Sequence, residues 1–138
     1  MKADQIIEEA RKCLKTPFQH QGRIPGLALD CVGLCIVVAR NLGIEVIDQT
    51  GYGRTPSNGL LETAIDNQPA LYKVTDGTKK RGDIFAMRWL RDPKHVAIFE
   101  GTNIIHSYAE VGMVCEHGFT PEWQKRVIAT YRFKDVEE

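Results

Sequence analysis

Along the first stretch of the chain, apolar side chains return at Ile6, Ile7, Ala10 and Leu14 with charged residues between them. That near-helical spacing predicts an amphipathic helix. Thr16-Pro17 should end it, because the residue before a proline avoids the helical region. Residues 17–29 then read as a loop with Gly22, Pro25 and Gly26, although Phe18, His20, Gln21 and Arg23 are more varied than a spacer requires. From 31 to 42 the pattern is strongly apolar and interrupted by Gly33. Ile36-Val37-Val38 favours a strand, but the length and the ending decide for a helix. Arg40 sits in what would be the last turn, and Gly43 follows as the usual stop. Asp30 then falls at the N-cap, Cys31 at the first helical position, and Cys35 one turn later on nearly the same face. A helix apolar almost all round must be buried, which makes it the central helix against a sheet.

Downstream the period changes. Residues 51–59 read as a loop in which Ser57 caps a short helix running through Ile65, and 67–69 and Asp76-Gly77 are turn signals. Residues 83–89 predict a strand, Arg91-Asp92-Pro93 a turn, and 95–99 with 103–107 a hairpin around Glu100-Gly101-Thr102. Further strands are expected at 111–116 and 127–133. Helices first and an antiparallel meander afterwards give an α+β class. Neither repeats nor a composition shift divides the chain, so 1–138 is expected to form one domain.

Composition narrows the partners. The 138 residues suit one modest core, and 18 basic residues balance 18 acidic ones. Such a chain has no general electrostatic reason to seek nucleic acid or an anionic membrane, and neither is an expected partner. Lys79, Lys80 and Arg81 read as a solvated face. The apolar run at 34–39 is far too short to span a bilayer, and the N-terminal residues lack an apolar leader core. The expectation is a product that is cytoplasmic as synthesised, carried elsewhere only by some other route.

Chemistry enters with the cysteines at 13, 31, 35 and 115. The Cys31/Cys35 spacing is neither a redox CxxC nor, without a second close pair, a structural zinc motif. Cys13 and Cys115 read as small buried hydrophobes. Cys31 is different, because a helix start and a nearby imidazole both favour the thiolate form of a nucleophile, and Gly33 would admit substrate or backbone. Two readings stand on position alone: a nucleophile, or a capped helix with a packed thiol.

The histidines shift the balance. In the expected hairpin, His95 at one strand start and His106 near the next strand's end come together. This suits a base and an orienting partner, with His95 accepting the thiol proton and His106 fixing its tautomer. His106 alone also reads as a half-buried strand histidine, and His117 reads as an exposed strand end. Two histidines and a cysteine could hold zinc, but no HExxH supplies a base and Glu110 is unsupported, so neither metal nor cofactor is expected.

Taken together, four blocks resemble the NlpC/P60 cysteine peptidases. They are Asp30-Cys31-Val32-Gly33-Leu34, Gly82-Asp83-Ile84-Phe85, His95-Val96-Ala97-Ile98-Phe99-Glu100-Gly101 and Ile104-Ile105-His106-Ser107, in the family's order. The resemblance implies a minimal papain-like fold, with the nucleophile helix packed on an antiparallel sheet that carries two histidines. It assigns Cys31 as nucleophile, His95 as general base and His106 as the orienting residue. The implied reaction is amide hydrolysis through a thioester in peptidoglycan stem peptides, between D-glutamate and a diamino acid. The Cys31 backbone N–H would form part of the oxyanion hole.

The chain departs from the family in the loop before the nucleophile. A Pro-Tyr pair is common there, and this sequence has Pro17-Phe18, without the hydroxyl. His20 or Gln21 could supply the missing donor, so Phe18, His20, Gln21 and Asp30 are the substrate or oxyanion candidates. Val32 after the nucleophile and the Pro17-to-Arg23 loop resemble members found in phage and prophage tails. That branch implies a wall hydrolase carried by a virion tail or released to the cell wall. The alternative is a phage tail assembly protein that keeps the fold, binds other tail proteins, and acts on a protein or not at all.

Overall fold

The computed structural model describes residues 1–48, 60–89 and 92–137. The first helix, α1 (Ala3–Lys12), buries Ile6, Ile7 and Ala10 as its spacing predicts. It stops at Lys12, one turn before Thr16-Pro17. The chain is drawn away there: Lys15 takes a left-handed φ of 70°, its N–H donates to the Val114 carbonyl at 2.9 Å, and the Val114 N–H returns to Thr16 at 2.9 Å. Strand-like pairing therefore ends the helix before the proline can. The following segment, expected as plain loop, contains two short antiparallel strands, β1 (Arg23–Ile24) and β2 (Ala28–Leu29).

The next helix, α2 (Cys31–Asn41), lies where the apolar run placed it, with Gly33, Leu34, Ile36, Val37, Val38 and Ala39 buried. A short helix α3 (Leu60–Asp66) follows, then β3 (Leu71–Lys73), β4 (Ile84–Trp89), β5 (Asp92–Phe99), β6 (Asn103–Tyr108), β7 (Met113–Gly118), a one-turn α4 (Pro121–Gln124) and β8 (Val127–Phe133). The expected loop at 51–59 and its capping Ser57 lie outside the described residues, as does Arg91. Asp92 and Pro93, read from sequence as a turn, instead open β5.

Among the described residues the main sheet has six antiparallel strands in the order β3-β8-β4-β5-β6-β7. The meander from β4 to β7 is as expected, but β8 returns across it to pair with β4 and carries β3 on its outer side. Strand alternation gives the sheet two apolar faces. Ile84, Ala86, Val96, Ile98, Ile105, Tyr131 and Phe133 join α1 and α2 in the larger core. Phe85, Met87, Ala97, Phe99 and Ile104 point the other way and meet Phe119, Trp123 and Val127 around α4. The observed class is α+β, with a helical layer on an antiparallel sheet.

A buried ion pair closes the far end of the sheet. Arg132 on β8 donates from Nε and Nη2 to the two oxygens of Asp83, each at 2.8 Å. Gly82 beside it holds φ 93°, and its N–H donates to the Phe99 carbonyl at 2.7 Å. No helix of the described residues is long and apolar enough to cross a membrane.

Candidate active site

The helix start is built around Asp30. Its side chain caps α2 by accepting the Gly33 N–H at 2.7 Å. The same oxygen accepts Arg23 Nη1 at 3.0 Å, and the other accepts the Gln21 N–H at 2.8 Å. One buried carboxylate thus ties the loop at 21–23 to the helix. Gly33 completes the junction: a Cβ there would lie 2.1 Å from the Gly22 carbonyl oxygen. The glycine admits the chain's own loop rather than a substrate.

Cys31, the first residue of α2, is half-buried. Burial and the neighbouring Asp30 carboxylate push its thiol up to about 12, while backbone N–H groups of Val96, Val32 and Cys31 pull it down. Desolvation therefore outweighs the helix N-terminus, and the resting sulfur is a neutral thiol. It contacts the amide of Val96, the residue after His95 on β5. Cys35, one turn on, is held higher still by burial. It lines a small apolar cavity of about 60 Å³ with Val32, Ile65, Val96 and Phe133. Gln68 also lines it, but its amide is hydrogen-bonded to the Ile47 backbone, and Cys35 packs as a hydrophobe.

His95 comes from β5 at a shift in register, where Met87 pairs with His95 and Arg88 with Pro93. Such a bulge re-aims a side chain locally. His106 comes from β6, and His95 Nε2 lies 2.5 Å from His106 Nδ1. The hairpin brings the two imidazoles together as the sequence predicts. His95 is 7% exposed and His106 fully buried. Burial is the largest influence on both, lowering His95 to about 3 and His106 to about 2. Arg126 and His117 add to it at His95, as His95 and His117 do at His106.

The next strand adds what sequence reasoning missed. His117 was expected as an exposed strand end, but it is half-buried, and its Nε2 lies 2.7 Å from His106 Nε2. Register explains it: His106 pairs with Cys115, and His117 follows two residues later on the same face of β7. Tyr108 stacks on His106 at 5.3 Å and 15°, and Trp123 stands edge-on to His106 at 5.0 Å. The rings form one continuous aromatic cluster with His95 and His117. Cys115, expected as a buried hydrophobe, is also only half-buried. Its sulfur and ligand atoms of His106 and His117 all lie within 4.8 Å of one another. These donors suit a soft divalent cation, but the ring nitrogens are already hydrogen-bonded to one another.

β6 also fixes the start of α2. Ser107, on the opposite side of the strand from His106, donates to the Leu29 carbonyl at 2.7 Å, two residues before Cys31. Among the loop candidates, Phe18 is half-buried and its N–H donates to Gly112 at 2.8 Å. His20 is half-buried, and Gln21 adopts a left-handed φ of 61° beside Asp30. Asp30 itself separates from this group: a carboxylate only accepts, and three donors occupy it within the fold. It organises the site rather than facing a bound molecule.

The profile of the NlpC/P60 family matches residues 15–132. No match is found among curated proteins. Among solved structures, an NlpC/P60 family protein from Bacillus cereus superposes with a TM-score of 0.73 at 22% identity, over 96% of this chain and 40% of that one. The NlpC/p60 domain of the peptidoglycan hydrolase SagA gives 0.66 at 22% identity, over 96% of this chain and all of that domain. The peptidoglycan hydrolase RipB from Mycobacterium tuberculosis gives 0.67 at 15%, over 99% of this chain and 65% of that one. The chain thus spans about two fifths of the Bacillus cereus protein's length. These likenesses reproduce the sheet and the central helix, and the matched sequence runs through Cys31, His95, His106 and His117. The chain belongs to the NlpC/P60 family.

Proposed function

We propose that this chain is a cysteine hydrolase of peptidoglycan stem peptides, with Cys31 as nucleophile, His95 as general base and His106 as its orienting partner. The observation that carries the reading is the hydrogen bond between His95 Nε2 and His106 Nδ1, on a strand whose Val96 amide meets the Cys31 thiol. With Nε2 engaged, proton exchange with the sulfur belongs to His95 Nδ1.

The neutral thiol and neutral imidazole define the order of events. As sulfur bonds to the substrate carbonyl carbon, His95 Nδ1 takes the thiol proton, so charge separates only in the transition state. The carbonyl oxygen becomes an oxyanion facing the N–H groups at the start of α2, those of Cys31 and Val32. The imidazolium then gives its proton to the leaving amine as the C–N bond breaks, which leaves a thioester. Water, deprotonated by His95, attacks the thioester, and the carboxylic acid and thiol are released. Gln21 and His20 line the loop next to this helix start and supply the polar contacts that Phe18 lacks.

The finer target follows the family resemblance: the bond between D-glutamate and a diamino acid. Val32 and the Pro17-to-Arg23 loop favour a tail-associated phage or prophage member, delivered to the wall from outside or by lysis. The test is digestion of purified muropeptides by the wild type and Cys31→Ala, with products identified by mass. A stem-peptide cleavage lost in Cys31→Ala is expected, and equal products from both would remove Cys31 from the reaction. No cleavage by either, with stable binding to tail proteins, would favour the assembly role.

A further inference from the structure

The third imidazole determines the direction of the whole chain of hydrogen bonds. His117 Nδ1 lies 3.0 Å from the carbonyl oxygen of Gly118. A carbonyl can only accept, so Nδ1 carries the proton. In neutral His117 the other nitrogen, Nε2, then presents a lone pair. It faces His106 Nε2 at 2.7 Å, and this contact is a hydrogen bond only if His106 donates. His106 Nδ1 is left as an acceptor and takes the proton of His95 Nε2 at 2.5 Å. His95 Nδ1 is then the unprotonated nitrogen. Each step leaves one choice, and the last places a lone pair where a base is needed.

The order also works in reverse. If His117 donated to His106, His106 would donate to His95 Nε2, and the His95 proton would move to Nδ1. The base would then be lost without any change in heavy-atom positions. An orienting residue alone does not prevent this, because an imidazole at position 106 can donate in either direction. The outer anchor is a backbone carbonyl, which cannot change its role.

We propose that His117, anchored by the Gly118 carbonyl, is a positioning residue that sets the tautomer of His106 and through it that of His95. The inference rests on His95 acting as the base, and it assigns His117 no contact with substrate. Trp123, 4.9 Å from His117, and Tyr108, stacked on His106, pack against the rings and hold them in place.

The test uses ¹⁵N-labelled protein in two variants, His117→Gln and His117→Leu. Glutamine presents a carbonyl oxygen that can accept from His106, whereas leucine cannot. In the wild type, imidazole NMR should show His95 protonated at Nε2 and bare at Nδ1, and His117→Gln should keep that state. His117→Leu should populate the opposite tautomer and lose kcat by roughly 10- to 1,000-fold with KM unchanged, short of the about ten-thousand-fold that a wholly wrong tautomer costs. A proton on His95 Nδ1 in the wild type would overturn the proposal. So would wild-type tautomer and kcat in His117→Leu, or an equal loss in both variants, which would mean packing alone. The NMR arm needs no substrate, so it decides the tautomer question even if muropeptides are not cleaved.

Discussion

At Cys31 two influences oppose each other. The helix start offers N–H groups that favour a thiolate, while burial and the Asp30 carboxylate favour the thiol, and the thiol is favoured, with a value near 12. Alkylation of Cys31 by iodoacetamide, followed by peptide mass analysis, should therefore be slow at pH 7. Its rate should keep rising about tenfold per pH unit through pH 9, because only the thiolate reacts. A rate that levels off near pH 7 would show that a stable ion pair with His95 already exists. At the same junction, Asp30→Ala removes an N-cap and leaves the Gln21 N–H and Arg23 without their acceptor. The cap alone is worth about 1 kcal/mol and the stranded partners add to it, so a loss of roughly 2 kcal/mol is expected in urea unfolding.

Elements differ in how plainly the sequence announces them. The apolar run of α2, its Asp30 cap and the Gly43 stop are strong local signals, and strands β4, β5, β6 and β8 are each six residues or longer with β-branched and aromatic residues among them. β3 and α4 are too short for a period to emerge, and the small hairpin of β1 and β2 looks like loop because two residues cannot alternate. His117 was hidden for another reason. Its neighbours Glu116 and Gly118 look solvent-facing, and only the pairing of His106 with Cys115 shows which way its ring points. The Gly33 signal was legible but its meaning was not, since spacing cannot tell a substrate from the Gly22 carbonyl. Gly33→Ala should force that loop away and cost about 1–3 kcal/mol, as overpacking does. An unchanged denaturation midpoint would mean the loop moves aside freely.

Across the whole molecule, stability and pH are linked through the imidazoles. His95 and His106 sit far below the ordinary 6.5, at about 3 and 2. The unfolded chain therefore binds more protons than the folded one once the pH drops below 6.5. Their contribution is complete above that value and is lost progressively as pH falls toward the folded values. Tm should decline between pH 6.5 and 5, above the range where ordinary carboxylates titrate, and a flat Tm there would contradict the burial of these rings. The opposite end of the sheet depends on Asp83 and Arg132. Asp83→Ala should lose about 3–5 kcal/mol, because it strands a buried guanidinium. The Gly82-Asp83 block, which helped to reveal the family, thus acts on the framework rather than on the reaction.

Strand β6 holds His95 through His106 and the start of α2 through Ser107 and Leu29, one on each face. The two anchor points are adjacent in sequence, so the strand works as a gauge for the gap between sulfur and imidazole. A single-residue insertion between Asn103 and Ile105 would exchange the faces of both at once, presenting Ile105 to His95 and the His106 imidazole to the Leu29 carbonyl. Changes in the length of the 100–102 turn leave this gauge intact, so length variation among related chains should gather in that turn and be absent from the strand.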